Sequence, residues 1–257
     1  MCAVPKTDSQ SGMTPITSPQ NPVIKQLRSL VDKKARREHG LFLAEGLAML
    51  ERAAELGWSP GVLVATKPVS IWDDVRPLIV SEKLMATLSG QNNPQDVIAA
   101  FKPRFQPHPT KTGVWLVLEE IRDPGNLGTI IRTAEAAGVE GIILAGECCD
   151  PWGPDCVRAS TGSIFAVPLV RMTREALISF MGAFPGETVG TAMVAKTDFR
   201  RPYGAPLMLV LGSESRGLSQ DVSKACKTLV RIPMKPGVES LNLAIATALI
   251  LYQTVST

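Results

Sequence analysis

The stretch Val114-Trp115-Leu116-Val117-Leu118-Glu119-Glu120-Ile121-Arg122-Asp123-Pro124-Gly125-Asn126-Leu127-Gly128-Thr129-Ile130-Ile131-Arg132-Thr133-Ala134 sets the reading of this chain. Five consecutive apolar residues run into a polar turn at Pro124-Gly125, and a helix follows that Gly138 can end. The same strand-then-helix unit recurs to the C-terminus. Further strands are predicted at Gly141–Leu144, Ala166–Val170, Thr188–Met193, Leu207–Leu211 and Leu229–Ile232, with helices over 127–137, 155–161, 174–182, 219–226 and 241–255. Regular alternation of this kind predicts an α/β fold with a mostly parallel sheet covered on both faces. Ligands in such sheets sit beyond the carboxyl ends of the strands, and the unusual polar residues of this half lie in those loops.

Upstream, the pattern is less regular. Residues 1–19 are polar, rich in Pro, Ser and Thr, and without periodicity, which predicts a mobile leader. Asn21 can cap a helix that starts at Pro22 and carries Val23, Ile24, Leu27, Leu30 and Val31 on one face. Lys25, Arg28, Lys33 and Arg36 are then expected to project away from that face. A second helix is predicted from Glu45 to Leu56, a third over Glu82–Leu88, and strands at Val62–Ala65, Leu78–Val80 and Val97–Phe101. Residues 20–105 thus read as a small α/β domain, the proline-rich 106–113 as a linker, and 114–257 as a second domain.

Composition narrows the class. The 257 residues are 45% hydrophobic and 20% charged, which excludes a mostly disordered or fibrous chain. The longest apolar run, around Leu243–Tyr252, is far short of the ~20 residues that a membrane span needs. No apolar segment follows a basic one at the N-terminus, so a cytoplasmic location is expected. Five cysteines without C-x-x-C spacing and two histidines argue against a disulfide scaffold and a zinc site, and no metal is expected. The net charge of +3 is unevenly shared: residues 1–112 carry 14 Lys and Arg against 10 acids, and residues 113–257 carry 13 against 14. The cluster Lys25 to Arg37 suits a phosphate backbone or, equally, a solvated helix face.

Three loops of the second half carry candidate chemistry. Asn126 in the first either caps its helix or enters a site, and Arg132 lies six residues further on. The second, Leu211-Gly212-Ser213-Glu214-Ser215-Arg216-Gly217-Leu218, has two glycines that permit close approach of backbone to a ligand, or form an ordinary turn. It lacks the Gly-Lys-Ser/Thr of a P-loop, and no strand ends in a dinucleotide fingerprint. In the third, Ile232-Pro233-Met234 precedes Ser240-Leu241-Asn242, where Ser240 or Asn242 can cap a final helix so apolar that burial is expected.

In this order the loops resemble the SpoU/TrmH branch of the SPOUT RNA methyltransferases. Asp123-Pro124-x-Asn126-x-Gly128-x-x-x-Arg132-Thr133-Ala134 is similar to that family's first motif, Gly212-x-Glu214-x-x-Gly217 to its second, and Ile232-Pro233-Met234 with Ser240-Leu241-Asn242 to its third. Val157-Arg158-Ala159-Ser160-x-Gly162 resembles a further family segment. Asn21-Pro22 and Phe42-Leu43-x-Glu45-Gly46 resemble its appended substrate-binding domain. Ser215 stands where a glycine is frequent, and Leu243-Ala244 replaces a more usual Val-Ser.

The resemblance implies a deep trefoil knot in the C-terminal domain, a homodimer formed through that domain, and S-adenosylmethionine as methyl donor. It implies that Leu211, Gly212, Gly217, Ile232, Met234, Ser240 and Leu241 bind the donor. Asn126, Arg132, Glu214, Ser240 and Asn242 would surround the reacting ribose and methyl group. Lys25, Arg28, Lys33 and Arg36 would bind RNA. The implied reaction moves the sulfonium methyl to a ribose 2′-hydroxyl; the donor is already activated, so neither a metal nor a covalent enzyme intermediate is needed. The family reading makes Arg132 the base, but arginine stays protonated in proteins, which favours an electrostatic role. The N-terminal domain points to ribosomal RNA. A tRNA ribose methyltransferase and a non-catalytic RNA-binding or ribosome-assembly protein with the same fold are the alternatives.

Overall fold

A computed structural model describes residues 15–91 and 93–255. Positions 1–14 of the expected leader lie outside the described residues. Ile16, also assigned to the leader, is held in place: its N–H donates to the Ile79 carbonyl at 2.8 Å and its carbonyl accepts from Ser81 N at 3.1 Å. A single backbone pairing of this kind leaves no periodicity to read.

The N-terminal half contains α1 (Pro22–Ser29), α2 (Lys33–His39), β1 (Phe42–Glu45), α3 (Leu47–Glu55), β2 (Val62–Ala65), β3 (Leu78–Ile79), α4 (Glu82–Ser89) and β4 (Val97–Phe101). The Asn21 side chain accepts from Val23 N and Ile24 N at 3.0 and 3.4 Å, so it caps α1 as expected. Ile24, Leu27 and Leu30 are buried, but α1 stops at Ser29 and leaves Val31 exposed in the turn before α2. The helix expected from Glu45 starts at Leu47, because Phe42 and Ala44 alternate inward as a strand and Gly46 breaks it at φ +101°. The strands order as β1-β4-β2-β3, with β4 antiparallel to both neighbours.

The second half contains β5 (Val114–Glu119), α5 (Pro124–Ala136), β6 (Gly141–Ala145), α6 (Pro154–Ser160), β7 (Leu169–Met172), α7 (Arg174–Gly182), β8 (Glu187–Thr191), β9 (Thr197–Asp198), β10 (Leu207–Leu211), α8 (Gln220–Ala225), β11 (Thr228–Arg231) and α9 (Leu243–Val255). Its seven strands are all parallel, in the order β7-β6-β5-β10-β8-β11-β9. The expected strand 166–170 forms later, at β7, because a 3-10 turn occupies Ser163–Phe165. The two-residue edge strand β9 carries no apolar signature and was not legible.

The halves share one apolar core. Phe42, Trp58, Trp72 and Phe101 from the first meet Trp152 and Phe165 from the second in one cluster. Ring centroids lie 4.7 Å apart for Phe42–Trp152 and 5.0 Å for Phe101–Phe165. The Trp58 indole N–H donates to the Phe165 carbonyl at 2.9 Å. Arg36 belongs to this junction, which corrects its expected place on the basic face. It is 7% exposed, its Nε and Nη2 donate to Asp150 Oδ2 at 2.9 and 2.8 Å, and Nη1 donates to the Leu30 and Val31 carbonyls. Lys25, Arg28 and Lys33 remain exposed.

Candidate active site

Sheet order decides which loops meet. Because β5, β10, β8 and β11 are adjacent and parallel, the segments leaving their carboxyl ends emerge side by side. These segments are 120–123, 212–218, 192–196 and 232–242. The first and third motif segments thus converge on the second without being close in sequence.

Glu214 is the node of the convergence. Its Oε1 accepts from Asn126 Nδ2 at 3.1 Å and from Asp123 N at 3.4 Å, and its Oε2 accepts from Arg122 N at 3.4 Å. Asn242 Nδ2 in turn donates to Asn126 Oδ1 at 2.9 Å. The orientation of both amides follows from their partners. Asn242 Oδ1 accepts from Ala244 N and Ile245 N, capping α9, so its nitrogen must be the donor toward Asn126. Asn126 then has only its own nitrogen left for the carboxylate. Asn242 therefore caps α9 with its oxygen and reaches Asn126 with its nitrogen. Asn126 does not cap α5; Asp123 does, with Oδ1 accepting from Asn126 N at 2.6 Å.

Beside this chain of hydrogen bonds lies a cleft of about 630 Å³, lined by residues that include Gly212, Gly217, Ile232, Met234, Ser240 and Leu241. Leu211 does not line it; it is buried at the end of β10 beneath the loop. The loop folds back on itself, with Ser213 N donating to the Gly217 carbonyl at 3.2 Å and Gly217 N to the Ser213 carbonyl at 2.9 Å. A Cβ at Gly212 would overlap the Gly217 and Leu218 backbone, so this position admits glycine alone. Gly217 has φ +65°.

Arg132 is exposed on α5, and its side chain forms no hydrogen bond or ion pair with any described residue. It does not line the cleft. Its guanidinium is free to meet an anion brought by a ligand. The Cys149 thiol is not a candidate nucleophile: burial pushes it up to about 12, and the charges of Cys148, Glu214 and Asp123 add to the shift.

Two contributors were not found by sequence reading. Thr191 to Val194, leaving β8, form a further wall of the cleft; the adjacency of β8 to β10 is the signal, and it is not visible before the sheet order is known. Glu119, the last residue of β5, is 2% exposed and tied to the far end of the 212–218 loop through Ser219 N at 2.8 Å. An acid ending an otherwise apolar strand was its only mark.

Comparison with known proteins agrees with this geometry. The model of the SpoU rRNA Methylase family matches residues 113–252, and that of an MRM3-like substrate binding domain matches residues 21–99. The chain is 35% identical to an uncharacterized tRNA/rRNA methyltransferase of Synechocystis sp., over 95% of this chain and 94% of the relative. It is 31% identical to the 23S rRNA (uridine(2479)-2'-O)-methyltransferase of Streptomyces viridochromogenes, over 93% and 91%. The crystal structure of an AdoMet-bound rRNA methyltransferase from Sinorhizobium meliloti superimposes with a TM-score of 0.86 at 39% identity, covering 93% of this chain and 96% of that one. The seven-stranded parallel sheet, the three joined loops and these matches place the chain in the SpoU rRNA methylase family.

Proposed function

We propose that this protein transfers a methyl group from S-adenosylmethionine to a ribose 2′-hydroxyl of RNA, with ribosomal RNA as the substrate. The observation that carries the reading is the hydrogen-bonded series Asn242–Asn126–Glu214, which joins three loops beside one cleft. The cleft fits the donor on its own terms. Glu214 and Ser240 supply polar groups along its wall, and Ile232, Met234 and Leu241 supply apolar lining. The family relatives support the same assignment.

Gly212, Gly217, Ile232, Met234, Ser240 and Leu241 would hold the donor, largely through backbone groups, with Leu211 supporting the loop from below. When bound, the sulfonium supplies an already activated methyl group. The protein then has to align the sugar oxygen and stabilise charge developing on it. Asn126, Glu214 and Asn242 present a fixed array of amide and carboxylate groups to the ribose. Ser240 stands at the cleft edge as a further hydroxyl. Arg132 acts as a cation beside the phosphate and the developing alkoxide rather than as a base.

The trefoil knot implied by the family would draw the 212–218 and 232–242 segments into one rigid enclosure. A second copy of the chain is proposed to cover α9, where Ile245 and Leu249 expose 54% and 45% of their surface on one face. Lys25, Arg28 and Lys33 are proposed to hold the RNA backbone, and the cytoplasm is the proposed site of action. The test is transfer of a labelled methyl to ribosomal RNA fragments and to transfer RNA, followed by mapping of 2′-O-methyl positions. Donor binding with no transfer to either RNA would support a non-catalytic RNA-binding protein instead. Transfer to transfer RNA alone would reassign the substrate.

A further inference from the structure

Among the described residues only two charged side chains are buried, Arg36 and Glu119. Arg36 serves the junction between the two halves. Glu119 sits elsewhere, at the carboxyl end of β5 between the first two motif loops. A carboxylate withdrawn from water is costly unless its oxygens are fully engaged. Here both are: Oε1 accepts from Arg174 Nε at 2.8 Å and Oε2 accepts from Ser219 N at 2.8 Å.

The partners show what the carboxylate does. Ser219 is the residue at which the 212–218 loop ends and α8 begins, and its own side chain caps that helix. Arg174 opens α7 and uses its second nitrogen, Nη2, on Glu120 Oε1 at 2.7 Å. Glu120 takes φ +54°, an uncommon conformation for a residue with a long side chain, and is followed through Ile121 by Arg122 and Asp123, whose N–H groups meet Glu214. The loop is thus fixed at three points: at its entry by the crowded Gly212 backbone, at its middle by Glu214, and at its exit by Glu119.

We propose that Glu119 and Arg174 form a positioning pair that fixes the exit of the 212–218 loop against the first motif loop and so sets the shape of the donor cleft. Neither residue touches the cleft; the pair acts through Ser219. Arg174 supplies the cation that faces the buried Glu119 carboxylate, with Nε 2.8 Å from Oε1. Without the guanidinium, Glu119 Oε1 has no partner in its buried setting, the side chain turns toward water, and Ser219 N loses its charged acceptor. The effect on donor binding rests on the function proposed above; the effect on the loop does not.

The experiment compares wild type, Arg174→Gln, Glu119→Gln and Arg174→Lys, each as the full chain. Amide hydrogen exchange without donor reads the loop, calorimetry with S-adenosylmethionine reads the cleft, and filter binding reads RNA affinity. Exchange of 213–219 is expected to quicken in both glutamine variants while that of 142–145 is unchanged. Donor affinity is expected to fall about tenfold, the worth of one charge-assisted hydrogen bond. RNA affinity is expected to stay within about twofold, less than the removal of a phosphate-binding cation would cause. Arg174→Lys, which keeps the charge near Glu119 Oε1, should recover most of the donor affinity. Unchanged loop exchange in the variants overturns the proposal, as does an equal loss of donor and RNA affinity with only a lower melting temperature. If wild type takes up no donor but the loop still loosens in the variants, the pair's hold on the loop stands and the methyl-transfer reading falls.

Discussion

Glu214, Asn126 and Asn242 come from positions up to 116 residues apart and still form one hydrogen-bonded series. Their types and spacing were legible in the sequence through the motif resemblance. Their pairing was not, because it depends on which strands lie side by side. Arg132 differs from the three in having no partner among the described residues. Arg132→Ala should therefore leave fold and donor affinity unchanged and lower the transfer rate by about 10²–10³, the usual loss when one group stabilising developing charge is removed. Single-turnover kinetics beside donor calorimetry checks this, and unaltered turnover removes Arg132 from the mechanism. Cys149 and Cys226 allow a second prediction. Burial raises both thiols to about 12, whereas an unfolded thiol titrates at about 8.5. Between those values the unfolded chain gives up protons that the folded one retains, so the contribution of these two thiols to stability is flat below about pH 8 and falls as pH rises toward 12. Urea midpoints at about pH 7.5 and about pH 10 should show the drop, and Cys149→Ala with Cys226→Ala should reduce it.

At the scale of elements, the strands of the larger sheet were the most legible, because buried parallel strands are continuous apolar runs. Helix starts were less so. The expected start of α5 at 127 moves to Pro124 because Asp123, not Asn126, supplies the cap. The break between α1 and α2 was hidden, since Val31 continues the apolar spacing past the point where the helix ends. The final helix was expected to be buried on nearly all sides, and the single chain buries only part of it. Ala244, Thr247, Ile250 and Leu251 face inward, while Ile245, Leu249 and Tyr252 recur at helical spacing on an exposed face. If a second copy covers that face, Ile245→Asp with Leu249→Asp should convert a dimer to a monomer in sedimentation at micromolar concentration. The double variant should keep its helical circular dichroism, because neither side chain contributes to the core of its own chain. A wild-type chain that sediments as a monomer would refute the arrangement.

For the molecule as a whole, the change of pattern near Val114 separates the strands of the two sheets, but the union of the two halves through one aromatic core was not legible. Aromatics make up only 5% of the chain, and nothing in their spacing shows that six of them meet. The same long-range packing explains why Arg36 was misplaced: in sequence it is one cation of a basic run, and in space it is the ion-pair partner of Asp150, 114 positions away. The basic run therefore divides into one structural arginine and several exposed cations, and the two kinds should respond to mutation in opposite ways. Arg36→Ala strands a carboxylate that is only 13% exposed and removes the donor to the Leu30 and Val31 carbonyls, so it should cost about 3–5 kcal/mol of stability. The slope of RNA affinity against salt should not change, because Arg36 offers no charge to a phosphate. Arg28→Glu and Lys25→Glu should do the reverse. Stability should stay within about 0.5 kcal/mol, as for other surface substitutions, while the salt slope should shrink by about 0.7 for each phosphate of single-stranded RNA that is no longer neutralised. Denaturant unfolding together with RNA titrations at several salt concentrations separates the two. A salt slope that falls in Arg36→Ala as it does in Arg28→Glu would return Arg36 to the RNA-binding face.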